Sequence, residues 1–268
     1  MIVAILGSIG YLGKFITHKL LLDKSVTVIP VNKQTIDLTN HNSVLSFLQA
    51  NKIDTVINCA VAGGNLQIND VSYKVLQDNL NIFLNFYNNS KYFKKFINIG
   101  SGSEFNTKTN IDNAVEDAIL NAYPTESYAY SKNIISRLVL ENDKFFTLRL
   151  FGCFDKTEHG FRLLKKFSSQ TSFGLMDRKF DYISANDFYK IVDYYLKNDQ
   201  LQKDINCVYE TKHYLSEILT EFKRLHHIDT DLKIEGINIL NYTGNANKLG
   251  SLNLNLDGLQ KGLELYFN

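Results

Sequence analysis

The chain has 268 residues, 44% of them hydrophobic, and its 29 Lys and Arg against 28 Asp and Glu leave a net charge of +1. That length allows one large domain with a full core, and the near-neutral charge, with only the short pairs Lys94-Lys95 and Lys165-Lys166, excludes nucleic acid and anionic membrane as expected partners. No apolar stretch approaches the ~18 residues of a membrane-spanning helix, and Cys59, Cys153 and Cys207 lie too far apart for a metal motif, so free thiols in a reducing cytoplasm are expected.

Ile2-Val3-Ala4-Ile5-Leu6 is a continuous apolar run without the basic flank of a signal peptide. It reads as a strand buried on both faces. Tyr11 to Leu22 follows with helical periodicity, then a β-branched run at Val26 to Ile29 and a helix at His41 to Ala50. Thr55 to Asn58 is a third strand, Val71 to Tyr87 a long helix, and Phe96 to Ile99 a fourth strand. A helix over Glu126 to Glu141 and a strand over Phe145 to Leu150 close the series. The alternation predicts an α/β fold, a Rossmann-type doubly wound parallel sheet.

After Phe151 the rhythm breaks. Helices are expected near 161–167, 187–196, after His213 and from Asp257 to Phe267, with short strands at 205–208 and 232–234. The expected division is a dinucleotide-binding domain over 1–151, with 182–208 returning to its sheet, and a small C-terminal α/β substrate lobe from 152–181 and 209–268.

Gly7-Ser8-Ile9-Gly10-Tyr11-Leu12-Gly13 joins the first strand to the first helix. Glycines there permit a tight turn and close backbone approach to a pyrophosphate, which the helix N-terminus then attracts. All seven residues are candidate cofactor ligands. After the second strand, Asn32-Lys33 stands where an acid would select NAD. Lys33 leans toward the 2′-phosphate of NADP, and the cofactor is left as NADP(H) or NAD(H).

Ser127-Tyr128-Ala129-Tyr130-Ser131-Lys132 puts Tyr128 and Lys132 four residues apart, on one helix face. A phenol titrates near 10, and a neighbouring ammonium is expected to lower that value. Tyr130 is two positions from Lys132 and faces elsewhere.

Together with Ser101, these segments resemble the extended short-chain dehydrogenase/reductase family, the NAD-dependent epimerase/dehydratase superfamily. The resemblance is best over residues 1–185. Gly7, Gly10 and Gly13 match its glycine motif, and Asp37-Leu38 looks like its adenine-binding pair. Asn58-Cys59-Ala60-Val61-Ala62 is similar to the strand end that lines the cofactor, and Asn79 to the asparagine of the next helix. Ile99-Gly100-Ser101-Gly102-Ser103-Glu104-Phe105 resembles its serine segment, Tyr128 and Lys132 its Tyr-x-x-x-Lys, and Arg178 to Ile183 the segment whose arginine meets a diphosphate.

The resemblance implies a cofactor lying across the strand ends, which adds Leu150 and Phe151 to its contacts. It implies catalysis by Ser101, Tyr128 and Lys132, with Ser103 beside them, and a substrate side made of Gly64, Ser103, Glu104, His159, Lys165 and Arg178. Within the family the GDP-fucose synthase-like 4-keto-sugar reductases look nearest, through Ala60 to Gly64 and through His159 ahead of Leu163 to Phe167. Ser103 stands where the epimerising members carry a cysteine, and Gly152-Cys153-Phe154-Asp155 replaces their Asn-x-Tyr-Gly. The implied activity is NAD(P)H-dependent reduction of a 4-keto nucleotide sugar in surface-polysaccharide biosynthesis, by a cytoplasmic homodimer. The alternative is a nucleotide-sugar epimerase, or an enzyme that both epimerises and reduces.

Overall fold

The computed structural model describes residues 1–63 and 73–267. In chain order the first half runs β1 (Ile2–Leu6), α1 (Tyr11–Leu21), β2 (Thr27–Val31), α2 (His41–Ala50), β3 (Thr55–Asn58), α3 (Tyr73–Tyr87) and β4 (Lys95–Ser101). Then come β5 (Ile111–Ala114), α4 (Ser127–Leu140), β6 (Phe145–Leu150), β7 (Cys153–Phe154), α5 (Leu163–Ser168) and β8 (Ser172–Asp177). The chain closes with β9 (Ile183–Ser184), α6 (Ala185–Lys197), β10 (Asp204–Asn206), α7 (Leu215–His226), β11 (Asp231–Ile237), β12 (Tyr242–Gly244), α8 (Asn247–Gly250) and α9 (Gly258–Glu264).

Six parallel strands form the central sheet in the order β10-β6-β4-β3-β1-β2. It is a Rossmann-type doubly wound sheet. Alternate residues of each strand feed two cores. Val3, Ile5, Ile57, Ile97 and Leu148 pack with Ile16 and Leu20 of α1 and with α6. Ala4, Leu6, Val56, Phe96 and Phe145 pack with α2, α3 and α4. This explains the unbroken apolar runs: a strand covered by helices on both faces has no solvent side to make polar. Pro30 is accommodated because β2 is an edge strand.

Parallel strands bring all their C-terminal ends to one edge. Chain order reverses between β1, which turns to β2 on one side, and β3, which starts the other half. Ligands of open α/β sheets bind in the crevice that such a reversal opens. Gly7 and Cys59 stand on its two walls.

A separate apolar cluster gathers Phe154, Leu164, Phe167, Phe173 and Leu175 with Leu215, Leu219, Phe222 and Leu263 around the parallel pair β8–β11. The C-terminal segment also returns to the sheet side: β12 pairs with β5, and Leu249 belongs to the core beneath α6. Among the described residues, no helix is long and apolar enough to cross a membrane.

Candidate active site

The glycine loop is shaped by its lack of side chains. Gly7 has φ +73°, and a Cβ there would stand 2.8 Å from the Ala60 backbone. A Cβ on Gly13 would come within 2.1 Å of the Gly7 carbonyl oxygen. No side chain caps the start of α1 at Gly10, and its first turn carries no acid. The positive end of the helix is therefore left for an anion. Ile9 is 65% exposed on the rim. Ser8 closes the turn, its amide and hydroxyl both bonded to the Val31 carbonyl. Tyr11 and Leu12 are half-buried in the first turn of α1. This cradle fits a dinucleotide pyrophosphate.

Beyond β2, Asn32 organises its own turn and Lys33 is exposed, its ammonium unpaired among the described residues. Asp37 is spent locally: its carboxylate accepts from the Thr39 amide and hydroxyl, which holds its pKa below the usual carboxylate range. Leu38 is buried in the core behind it.

At the end of β3, Cys59 lies against the core, and burial pushes its thiol up to about 12. Val61 is 39% exposed. Asn79 is buried in α3 and clamps this strand end: its side chain accepts from the Ala62 amide at 2.7 Å and donates to the Ala62 carbonyl at 3.1 Å. It also donates to Ser131 of α4 at 3.0 Å. Asn79 thus holds the segment after β3 through its backbone. Gly64 lies outside the described residues.

Ser101 ends β4 as the N-cap of a 3₁₀ turn over Gly102–Phe105. Its hydroxyl lies 2.9 Å from the Ser103 hydroxyl and accepts from the Ser103 amide at 3.3 Å. The Tyr128 side chain, from the first turn of α4, lies near enough to Ser101 for the serine to favour its charged form. Tyr130 points to solvent, 42% exposed.

Tyr128 departs from expectation in one respect. Burial raises its pKa, with the nearby Ser101 side chain opposing that rise. Lys132 does not face the phenol. It is buried and donates to the Ile99 carbonyl at 2.7 Å, and burial lowers its own pKa, opposed by the charge of Glu104. At neutral pH Tyr128 is a phenol with a proton to give.

Glu104 needs correction as a substrate contact. It is fully buried, one oxygen accepting from the Ser101 amide at 2.7 Å, the other from Ser136 at 2.8 Å and from Arg149 Nε at 2.7 Å. Arg149, also fully buried, reaches on to Asp204 and Asn206 at 3.1 Å each. This network braces the backbone that presents Ser101. Its sequence signal was a lone arginine inside the apolar strand Phe145 to Leu150.

On the other wall, Leu150 and Phe151 are buried where β6 ends beside Ser101. The Phe151 ring meets Tyr242 edge-on at 5.0 Å and fills the space above Gly102. Arg178 is half-buried, its guanidinium over the rings of Phe180 at 5.4 Å and Tyr242 at 5.8 Å. Among the described residues that guanidinium has no ion pair or hydrogen bond, and burial lowers its pKa.

His159 is exposed, stacked on Phe161 at 5.3 Å and 6.4 Å from Tyr11. It therefore borders the glycine loop, and no hydrogen bond or ring contact among the described residues joins it to Ser101, Ser103 or Tyr128. Lys165 donates to the Lys156 carbonyl at 3.2 Å on the same exposed loop. Tyr242 was missed from the sequence: Asn241-Tyr242-Thr243-Gly244 carries no local motif.

A model of the NAD dependent epimerase/dehydratase family matches residues 3–207. The chain belongs to this family. Its fold is that of solved family-type reductases at low identity. A dTDP-4-dehydrorhamnose reductase from Clostridium acetobutylicum superposes with a TM-score of 0.83 at 20% identity, over 99% of this chain and 98% of that one. A GDP-mannoheptose C4 reductase from Campylobacter jejuni with NADP bound gives 0.81 at 17%, over 98% and 96%. A GDP-L-fucose synthetase from Naegleria fowleri bound to NADP gives 0.80 at 14%, over 99% and 91%. Comparison with curated protein sequences gives no match.

Proposed function

We propose that this member of the family is an NAD(P)H-dependent reductase of a 4-keto nucleotide sugar, acting in surface-polysaccharide biosynthesis. The observation that carries the reading is the pairing of Ser101 with a protonated, half-buried Tyr128 at the strand ends, beside the open glycine cradle. A reductase needs an acid at the carbonyl oxygen, and burial keeps Tyr128 in its acid form. The similar folds of a dTDP-4-dehydrorhamnose reductase and a GDP-mannoheptose C4 reductase with NADP bound support the same class.

The glycine loop and the α1 N-terminus hold the pyrophosphate, and Lys33 faces the adenosine end, which favours NADP. When bound, the nicotinamide supplies a hydride to the keto carbon. Ser101 donates a hydrogen bond to the carbonyl oxygen as charge develops on it. Tyr128 transfers its hydroxyl proton to that oxygen and is reprotonated from solvent. Lys132 has two N–H groups left after Ile99 for the ribose hydroxyls. Arg178, unpaired against its aromatic wall, meets the substrate diphosphate. In this reading residues 152–181 and 209–268 receive the sugar nucleotide, and α3 and α4 form a homodimer contact.

The test is a screen of dTDP-4-keto-6-deoxyglucose and GDP-4-keto-6-deoxymannose against NADPH and NADH. Stoichiometric loss of reduced cofactor with formation of the reduced sugar is expected. Interconversion of two keto sugars without net oxidation overturns the reductase in favour of an epimerase, in which Ser103 and His159 would carry the proton transfers.

A further inference from the structure

Arg178 rests on two stacked rings that come from separate parts of the chain. Phe180 follows it closely in sequence, Tyr242 lies on β12, and the rings stack at 5.3 Å and 28° beside the guanidinium. Asp181, only 3% exposed, joins the two parts. Its amide donates to the Tyr242 carbonyl at 3.1 Å, and its carboxylate accepts from the Gly244 amide at 2.7 Å. One residue thus holds β12 at two points. A Cβ on Gly244 would stand 2.6 Å from the Phe151 ring, so β12 packs against that ring with no room for a side chain.

The same carboxylate pairs with a third segment. Lys212 Nζ lies 3.0 Å and 2.9 Å from its two oxygens, and donates to the Tyr209 carbonyl at 2.7 Å. One residue on, the His213 carbonyl accepts from the Phe180 amide at 3.0 Å. Residues 178–181, 209–213 and 242–244 therefore meet at one buried carboxylate. The last two segments lie beyond residue 207, where the match to the family model ends. Among the described residues, Lys212 is the one cation in ion-pair contact with Asp181. Removing the charge of either partner leaves the other without its counter-charge in a place largely closed to water. None of these bonds reaches the glycine loop, so the loss falls on the rings that carry Arg178.

We propose that Asp181 and Lys212 are positioning residues for the substrate diphosphate: their ion pair holds the Phe180–Tyr242 stack and so fixes where Arg178 presents its guanidinium. This rests on Arg178 meeting the diphosphate as proposed above. A guanidinium binds phosphate oxygens through parallel N–H bonds of demanding geometry, so a shifted seat loses affinity for the diphosphate while the charge of Arg178 remains.

The test is calorimetric binding of dTDP and GDP to the full chain saturated with NADPH, which keeps the nucleotides out of the cofactor crevice. Asp181→Asn keeps the shape and can still accept from Gly244, but gives up the charge. For whichever nucleotide the wild type binds, Kd rises about tenfold in D181N and in K212Q, while the NADPH Kd stays within about twofold. In the Arg178→Ala background D181N brings no further loss, because the acid acts through the arginine; a further loss there overturns the inference. Wild-type affinity for dTDP and GDP in both single variants overturns it as well, as does equal weakening of NADPH, or a wild type that binds neither nucleotide. If D181N does not fold, K212Q carries the comparison alone. The reductase reading is judged separately, by NADPH oxidation with the two keto sugars. Its failure there leaves this inference to stand or fall on the dTDP and GDP result.

Discussion

Arg149 Nε lies 2.7 Å from Glu104 Oε2 with both side chains fully removed from water, directly beneath the backbone that carries Ser101. Charges so placed attract strongly but have surrendered their hydration, so the pair contributes less than its geometry suggests while loss of one partner is severe. Arg149→Met should therefore destabilise the protein by about 3–5 kcal/mol, read by urea unfolding, because Glu104 is left charged and buried. A loss under ~1 kcal/mol would mean that the pair does not brace the fold.

Tyr128→Phe should leave NADPH binding within about twofold and lower kcat for keto-sugar reduction by about 10²–10⁴. Fluorescence titration and steady-state kinetics separate the two. Near-wild-type turnover would remove Tyr128 from the chemistry.

The pH profile follows from the direction of the Tyr128 shift. Burial raises its pKa above the ordinary value of about 10. The proton donor is thus present throughout the neutral range and is lost only as pH rises through the raised value. The Tyr128 step should place no limb in kcat between about pH 6 and pH 9, and its decline belongs at the alkaline end. A tyrosine-dependent decline near pH 7 would mean that the bound cofactor reverses the shift.

Asn79→Ala removes three hydrogen bonds at once, two to Ala62 and one to Ser131. The Ala62 amide and carbonyl lose partners beside the cofactor crevice. A stability loss of about 1–3 kcal/mol with a raised KM for NADPH is expected. An unchanged KM would separate the loop from cofactor binding.

Gly13→Ala places a methyl carbon where the Gly7 carbonyl oxygen stands, 2.1 Å away. Neither atom can move without opening the turn. Loss of NADPH binding, or of soluble protein, is expected; tight binding by the variant would exclude the cradle as the pyrophosphate site.

The chain's own pattern determined the alternating sheet, the glycine loop and the Tyr128–Lys132 face, because these depend on local periodicity and on spacings within one strand, turn or helix. Apolar runs such as Ile2 to Leu6 can only be buried on both sides. Tertiary structure alone decided which charges are structural and which are free. Glu104 looks like a substrate contact in its Gly-Ser segment until Arg149, 45 residues later, takes it into the core. Lys132 stands four residues from Tyr128, yet its ammonium reaches the Ile99 carbonyl, since a buried cation must find an acceptor wherever the fold supplies one. Tyr242, on β12, packs against Phe151 and under the Arg178 guanidinium from far along the chain. Separations of that kind leave no trace in local periodicity, because the residues share neither a helix face nor a strand.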